Sequence, residues 1–267
     1  MILVTGHKGF IGRSLYNRLK YEGHKVVGID AIDGDPHELT QQIDWSGIEL
    51  IYHQGAISST LETDVAKIYS LNIDYSIKLF EKAIEYGIPV RYASSASVYG
   101  NSKDYSYNPL NYYALSKLTV DMWVKENLDR FLAPITGFRY FNVYGLDERK
   151  SDYTTSPIYN FTQQAKNDGV IKLFYGSENM HRDFVWVGDV VETIMSDRYA
   201  MKRIFDLGTG KPESFLSVAQ TISNKYDVPI KFIDMPKNIK KHYQYYTKAQ
   251  PHIDRWFESV GEFIKRS

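Results

Sequence analysis

The chain has 267 residues, room for one large α/β domain or two smaller ones with a sizeable buried core. Lys plus Arg and Asp plus Glu are each 32, so nothing in the overall charge suits nucleic acid or an anionic membrane surface. Cysteine is absent, which excludes disulfides, thiolate catalysis and cysteine-bound metals.

Residues 2–5 are a short apolar run, predicted as a buried strand. Gly6-His7-Lys8-Gly9-Phe10-Ile11-Gly12 follows as a G-x-x-G-x-x-G loop, and residues 13–21 carry Leu15 and Leu19 at helical spacing. The chain returns over 25–30 as a second strand ending in Asp30. In this setting the glycines permit a tight turn and close approach to a pyrophosphate, and the helix N-terminus offers N–H donors and positive dipole. Gly6, Gly9, Phe10, Ile11 and Gly12 are therefore candidate cofactor contacts, with Asp30 on a ribose diol. A 2′-phosphate needs a cation, and Ala31-Ile32-Asp33-Gly34-Asp35-Pro36 offers only further carboxylates, so NAD is expected over NADP.

The alternation continues: a short helix over 36–43, a strand over 49–53, and the small-residue loop Gln54-Gly55-Ala56-Ile57-Ser58-Ser59. That loop lies at a strand's carboxyl end, where open parallel sheets bind ligands. Gln54, Gly55, Ala56 and Ser58 are further candidate cofactor contacts. A helix over 64–86 contains Asn72, also assigned to the cofactor, and Gly87-Ile88-Pro89 breaks it. Strands over 90–93 and 135–141 flank a helix running to Arg130, and Ser94-Ser95-Ala96-Ser97 stands at the end of the first. The pattern implies an α/β fold, a Rossmann-type doubly wound parallel sheet with a smaller, interleaved C-terminal substrate domain. The expected division is 1–142 with 183–206 for the dinucleotide, and 143–182 with 207–267 for the substrate. Within the second half, helices are expected over 156–166, 190–199 (with Asp189 as its cap) and 259–265, and strands over 183–187 and 204–210.

Tyr113 and Lys117 stand four residues apart on the predicted helix and share one face. A phenol is a poor base at neutral pH, but a neighbouring ammonium favours the phenolate. The pair is a proton acceptor for a substrate hydroxyl, although with 22 tyrosines in the chain such spacing also arises on ordinary exposed helices. The seven histidines show no metal-ligand spacing, no apolar run approaches a membrane span, and residues 1–6 carry no signal-peptide pattern. These features lead to the expectation of a metal-free cytoplasmic protein without nucleic-acid or membrane partners.

The glycine loop, Ser94-Ser95-Ala96-Ser97-Val98-Tyr99-Gly100 and Tyr113-x-x-x-Lys117 together resemble the extended short-chain dehydrogenase/reductases that act on nucleotide sugars. His53-Gln54-Gly55-Ala56-Ile57-Ser58-Ser59-Thr60, Phe138-Arg139-Tyr140-Phe141-Asn142-Val143-Tyr144-Gly145 and the run from Gly176 to Val190 narrow the resemblance to the ADP-L-glycero-D-manno-heptose 6-epimerases. Tyr243-Gln244 with Thr247 fits the same pattern. Against that family the chain is shorter between Asp30 and Trp45, and it lacks the Asn after the acid and the downstream Lys that suit NADP.

The resemblance implies oxidation of a sugar carbon to a ketone and re-reduction on the other face, with the cofactor unchanged. Tyr113 is one acid/base group; Lys117 binds the nicotinamide ribose and lowers the phenol pKa; Ser95, preferred to Ser94 or Ser97, holds the reacting oxygen. A second lysine is expected shortly after Gly145, for which Lys150 is the candidate and Arg149, permanently protonated, the weaker one. Val143 adds a cofactor contact. Asn142, Asn160, Phe174, Tyr175, Gly176, Ser177 and Tyr243 face the nucleotide sugar, with Arg182 on its diphosphate unless it pairs with Asp183 or Glu178. The basic, tyrosine-rich 237–248 stretch reads as a phosphate-facing lid. Ser95-Ala96-Ser97 lacks the Thr-Asp-Glu of a 4,6-dehydratase. The implied activity is inversion at C6 of an ADP-heptose for lipopolysaccharide biosynthesis by a homo-oligomer. The alternatives are another nucleotide-sugar epimerase or reductase, such as a UDP-hexose 4-epimerase, or a cofactor-binding module that has lost catalysis.

Overall fold

The computed structural model describes residues 1–148, 155–236 and 243–267. They form two compact units: Met1–Ser95 with Asn111–Arg139 and Val191–Phe205, and Ala96–Leu110 with Tyr140–Val190 and Asp206–Ser267.

The first unit is built on β1 (Ile2–Thr5), α1 (Phe10–Tyr21), β2 (Val26–Ile29), α2 (Pro36–Gln41), β3 (Leu50–His53), α3 (Val65–Ile68), α4 (Tyr75–Tyr86), β4 (Val90–Ser95), α5 (Tyr112–Glu126) and β5 (Ile135–Tyr140). With β10 (Arg203–Leu207) the strands form a six-stranded sheet in the order β10-β5-β4-β3-β1-β2. β1 pairs in parallel with β2 on one side and β3 on the other, Thr5 standing opposite both Ile29 and His53. The order thus reverses between β1 and β3, and the carboxyl ends of those strands make the switch point at which doubly wound sheets bind ligands. All four β1 residues are buried, as a central parallel strand covered on both faces requires. Leu3, Ile51, Leu79, Phe80, Val90, Val120 and Ile135 share one core.

Between α3 and α4 the helix loosens into a π turn, Tyr69–Asp74, with Asn72 buried inside it. Such turns insert one residue into the helical register and re-aim side chains. α4 stops at Gly87, whose φ of +64° suits a residue without Cβ. α5 is shorter than predicted: it ends at Glu126, and Leu128–Arg130 is a separate 3-10 turn. Among the described residues no helix is long and apolar enough to cross a membrane.

The second unit carries β6 (Asn142–Tyr144), α6 (Pro157–Asp168), β7 (Ile171–Phe174), β8 (His181–Arg182), β9 (Phe184–Trp186), β11 (Glu213–Ser214), α8 (Phe215–Tyr226), β12 (Ile230–Ile233) and α9 (Val260–Arg266); α7 (Val187–Met195) straddles the two units. Its core gathers Tyr144, Ile158, Phe161, Leu173, Phe184, Phe215, Ile222 and Phe263. Local chemistry sets the helix ends. Ser156 Oγ accepts from Tyr159 N at 3.1 Å ahead of Pro157, and Ser259 and Glu262 close a capping box before α9.

Asp189 does not cap a helix beginning at Val190. α7 starts at Val187, so Asp189 lies in its first turn, where its carboxylate accepts from Arg255 at 3.0 Å and from Glu258 N at 2.9 Å. Asp183 is equally structural. Its oxygens accept from Thr209 N, Thr209 Oγ1, Gly210 N and Ala249 N at 2.7–2.9 Å. A buried carboxylate satisfied this fully has no need of Arg182.

Candidate functional site

The glycine loop is built as a cradle. Gly6 has a φ of +69°, and a Cβ there would lie 2.5 Å from Gly55 Cα, so β1 and β3 touch at the switch point only because both residues are bare. A Cβ on Gly12 would lie 2.1 Å from Gly6 O, whereas one on Gly9 would meet only that oxygen, at 3.3 Å. Gly9 precedes the first turn of α1, and no side chain caps that turn. A pyrophosphate fits this first turn: helix N–H groups without a side-chain cap, positive helix dipole and no Cβ in the way.

Asp30, nearly buried, receives Lys8 N on Oδ2 at 2.8 Å and Ile32 N on Oδ1 at 3.1 Å. These contacts fix the carboxylate beside the loop and leave lone pairs for a diol. The acidic stretch after it is not bare of cations. Lys8 pairs its Nζ with Asp33, and His7 Nε2 lies 3.9 Å from the same carboxylate. Residues 31–36 offered no such partner; folding brings one from the glycine loop, 25 residues earlier.

Tyr113 and Lys117 lie on α5, whose first turn is capped by Asn111 Oδ1 accepting from Ala114 N at 2.9 Å. Tyr113 hydrogen-bonds Ser95 at the end of β4. Lys117 is buried and donates from Nζ to Ala93 O at 2.8 Å. Burial pushes the Lys117 ammonium down to about 8, against the carboxylate of Asp121. The tyrosine differs from expectation: burial pushes its phenol up, with the Ser95 hydrogen bond opposing. Lys117 spends a donor on the strand carbonyl rather than on the phenol.

Gln54, Gly55, Ala56 and Ser58 follow β3 in the loop beside Gly6, as their positions predict. Asn72, expected at the cofactor, turns its side chain to the protein: Oδ1 accepts from Ile57 N at 2.8 Å, and Nδ2 donates to Ile57 O and to Ser116 Oγ, both at 3.0 Å. Sequence reading missed His53 and Ser76, which fill the space beneath. His53 Nδ1 meets Thr5 Oγ1 at 2.6 Å and Nε2 meets Ser76 Oγ at 2.8 Å. The one signal was position: His53 is the last residue before the ligand-side loop.

Burial, then the nearby Lys117 charge, pushes His53 down to about 3. The unfolded chain binds a proton below about 6.5 that the folded chain refuses, so stability is lost as pH falls below about 6.5. The His53 share is expected to be about 1.6 kcal/mol between pH 6.5 and 5, the slope approaching about 1.4 kcal/mol per unit at the acid end. Urea unfolding at both pH values checks it. His53→Gln should remove that part of the slope, and an unchanged slope would place the acid sensitivity elsewhere.

In the second unit Arg182 is buried among aromatic rings, with its guanidinium 5.4 Å from the Tyr243 ring centroid and 5.8 Å from that of Phe215. Burial pushes it down to about 10, with Tyr243 opposing. Its Nη1 is buried without a hydrogen-bond partner among the described residues. Asn142 Oδ1 accepts from Thr247 Oγ1 at 3.2 Å, and Asn101 Nδ2 donates to Tyr243 O at 3.2 Å, so the strand and the 243–249 segment are stitched together. Val143 lies on β6, paired with Val185. Asn160 accepts from Thr155 Oγ1 at 2.6 Å on α6. Phe174 ends β7, Tyr175 is exposed and stacks on Phe232, Gly176 turns with φ +84°, and Ser177 Oγ donates to Phe174 O at 2.5 Å. Lys150, Arg149 and residues 237–242 lie outside the described residues.

Solved structures share this fold. The Helicobacter pylori ADP-L-glycero-D-manno-heptose-6-epimerase is similar at 24% identity, covering 99% of this chain and 94% of that one, with a TM-score of 0.82. A UDP-N-acetylglucosamine 4-epimerase from Methanobrevibacter ruminantium, solved with UDP-N-acetylmuramic acid, shares 22% identity over 99% and 96% of the chains, with a TM-score of 0.80. The Thermus thermophilus UDP-glucose 4-epimerase, solved with NAD, shares 20% identity over 94% and 90%, with a TM-score of 0.77. At these identities the likeness establishes the Rossmann-type fold. The sequence itself matches the NAD dependent epimerase/dehydratase family over residues 2–197. With the glycine cradle, Asp30 and the Ser95–Tyr113–Lys117 group on one unit, the chain belongs to the NAD dependent epimerase/dehydratase family.

Proposed function

We propose that the chain is a nucleotide-sugar epimerase that interconverts ADP-D-glycero-D-manno-heptose and ADP-L-glycero-D-manno-heptose through transient oxidation at C6. The observation that carries the reading is Arg182, a buried guanidinium with an unpartnered Nη1, set within the Gly176–Val190 stretch. A buried cation with a free donor calls for an anion, and a diphosphate matches its planar fork.

Bound at the glycine loop, the dinucleotide supplies a hydride acceptor and then a hydride donor. Ser95 holds the reacting hydroxyl oxygen beside Tyr113, which takes its proton as the ketone forms and returns one on reduction. Lys117, cationic below about 8, favours the phenolate and binds the ribose. Lys150 is proposed as the acid/base group for the opposite face. Asn142, Asn160, Phe174, Tyr175, Gly176, Ser177 and Tyr243 are proposed to surround the sugar and nucleotide. NAD is preferred to NADP, because Lys8 is already neutralised by Asp33 next to Asp30. The reading includes a cytoplasmic homo-oligomer.

A UDP-hexose 4-epimerase is the second reading, supported by the two 4-epimerases of similar fold. Incubation with ADP-D-glycero-D-manno-heptose, followed at C6 by proton NMR, separates the two. Inversion there supports the first, and turnover of UDP-glucose alone supports the second. Arg182→Leu is expected to weaken nucleotide-sugar binding by about 1.5–3 kcal/mol, the worth of charge-assisted hydrogen bonds, with NAD affinity unchanged. Calorimetry with each ligand checks it; equal binding by variant and wild type would remove Arg182 from the diphosphate.

A further inference from the structure

Five polar side chains, Thr5, His53, Asn72, Ser76 and Ser116, are buried in the first unit at 1–3% exposure. Burying hydroxyls, an amide and an imidazole costs free energy that apolar residues of similar shape would avoid, unless each group is satisfied. Here each is, and the directions of the bonds can be deduced one from the next.

Ser76 Oγ donates its only hydrogen to Asn72 O at 2.6 Å. Toward His53 it can therefore only accept, so Nε2 carries the imidazole hydrogen. Nδ1 is then an acceptor, and Thr5 Oγ1 donates to it. Thr5 Oγ1 accepts in turn from Gly55 N at 3.2 Å. In the other direction, Asn72 Nδ2 donates to Ser116 Oγ, and Ser116 Oγ donates to Tyr113 O at 2.8 Å. One unbroken path runs from Gly55, which abuts Gly6 in the glycine cradle, to the backbone of Tyr113. The π turn at 69–74 puts Asn72 in the middle, with its amide closed on both backbone groups of Ile57.

We propose that this path is a positioning device that couples dinucleotide occupancy at the Gly6–Gly55 contact to the first turn of α5, with His53 as its central positioning residue in the Nε2–H tautomer. It rests on the dinucleotide reading of the glycine loop. A ligand that packs on the cradle fixes Gly55, hence the Thr5 hydroxyl and the His53 ring; a fixed ring holds Ser76 and Asn72, and Asn72 holds Ser116 on the Tyr113 carbonyl. The order of the turn that carries the phenol is then gained when the dinucleotide is present.

Amide hydrogen exchange of the full chain with and without NAD tests this. In the wild type, NAD is expected to slow exchange over 54–57 and over 112–117. In Ser116→Ala, which cuts the path at its far end, the first segment should keep its protection. The second should lose about five- to tenfold of its own, the lower range of coupling between sites. His53→Phe, which keeps a ring but neither hydrogen bond, should behave likewise. His53→Gln, with one acceptor and one donor, should restore protection. Protection of 112–117 that matches wild type in both Ser116→Ala and His53→Phe, with 54–57 still protected, would overturn the relay. No protection of 54–57 by NAD in the wild type would instead overturn the dinucleotide reading, and the relay with it. Should His53→Phe fail to fold, Ser116→Ala decides alone.

Discussion

Tyr113→Phe is expected to lower inversion by about 10²–10⁴-fold, the range for loss of a positioned acid/base group. The ring stays and only the oxygen goes. Ser95 then loses its hydrogen bond to Tyr113, but the cap on α5 and the Lys117–Ala93 contact do not involve that oxygen. NAD affinity should therefore stay within about twofold, since the α5 cap and the Lys117–Ala93 contact are kept. Steady-state rates paired with calorimetric NAD titration separate the two effects. Full activity in Tyr113→Phe would assign proton transfer to another group, and loss of NAD binding would make the effect structural. Because burial pushes the phenol up, the rate is expected to rise with pH until Tyr113 ionises.

Gly12→Ala is expected to be the most damaging change in the dinucleotide cradle. Its Cβ would stand 2.1 Å from Gly6 O and 2.8 Å from Gly6 C, both backbone atoms that cannot swing aside. Gly6 in turn cannot retreat, because it rests against Gly55. Overpacking of this kind costs about 1–3 kcal/mol. The loop must shift, so NAD binding should weaken by about 5- to 150-fold as the same free energy is taken from the bound geometry. Gly9→Ala, with a single contact at 3.3 Å, should cost less stability. Thermal melts and NAD titration of the two variants give the comparison; equal melting and equal affinity would show that the loop yields without penalty.

How far the sequence carried depended on the range of each interaction. Strand, loop, helix and acid over 2–30 are set by neighbours in the chain, and they fold as predicted, within a few residues at each end. The i, i+4 spacing of Tyr113 and Lys117 follows from helix geometry alone, and Ser95 was picked from its place in the motif, at what proves to be the end of β4. What was missed depended on contacts between distant segments. Lys8 meets Asp33 across 25 residues, and Arg255 meets Asp189 across 66. The Lys117 ammonium was expected beside the phenol but is anchored on Ala93, because the end of β4 passes beneath α5. The stretch Ala96–Leu110 follows β4 in sequence yet packs with the second unit.

The amino-acid order by itself determined the α/β alternation, the glycine cradle and the Ser95, Tyr113 and Lys117 set proposed for proton transfer. These rest on periodicity and short spacing, which the backbone translates directly into shape. Only the tertiary structure decided the protonation and partners of those groups. It set Tyr113 up and Lys117 down by burial, left Arg182 with a donor unpartnered among the described residues, and joined His53 to Thr5 and Ser76. The reason is that desolvation and hydrogen-bond direction are properties of the packed surroundings, and the residues that pack around each of these groups come from segments far apart in the chain.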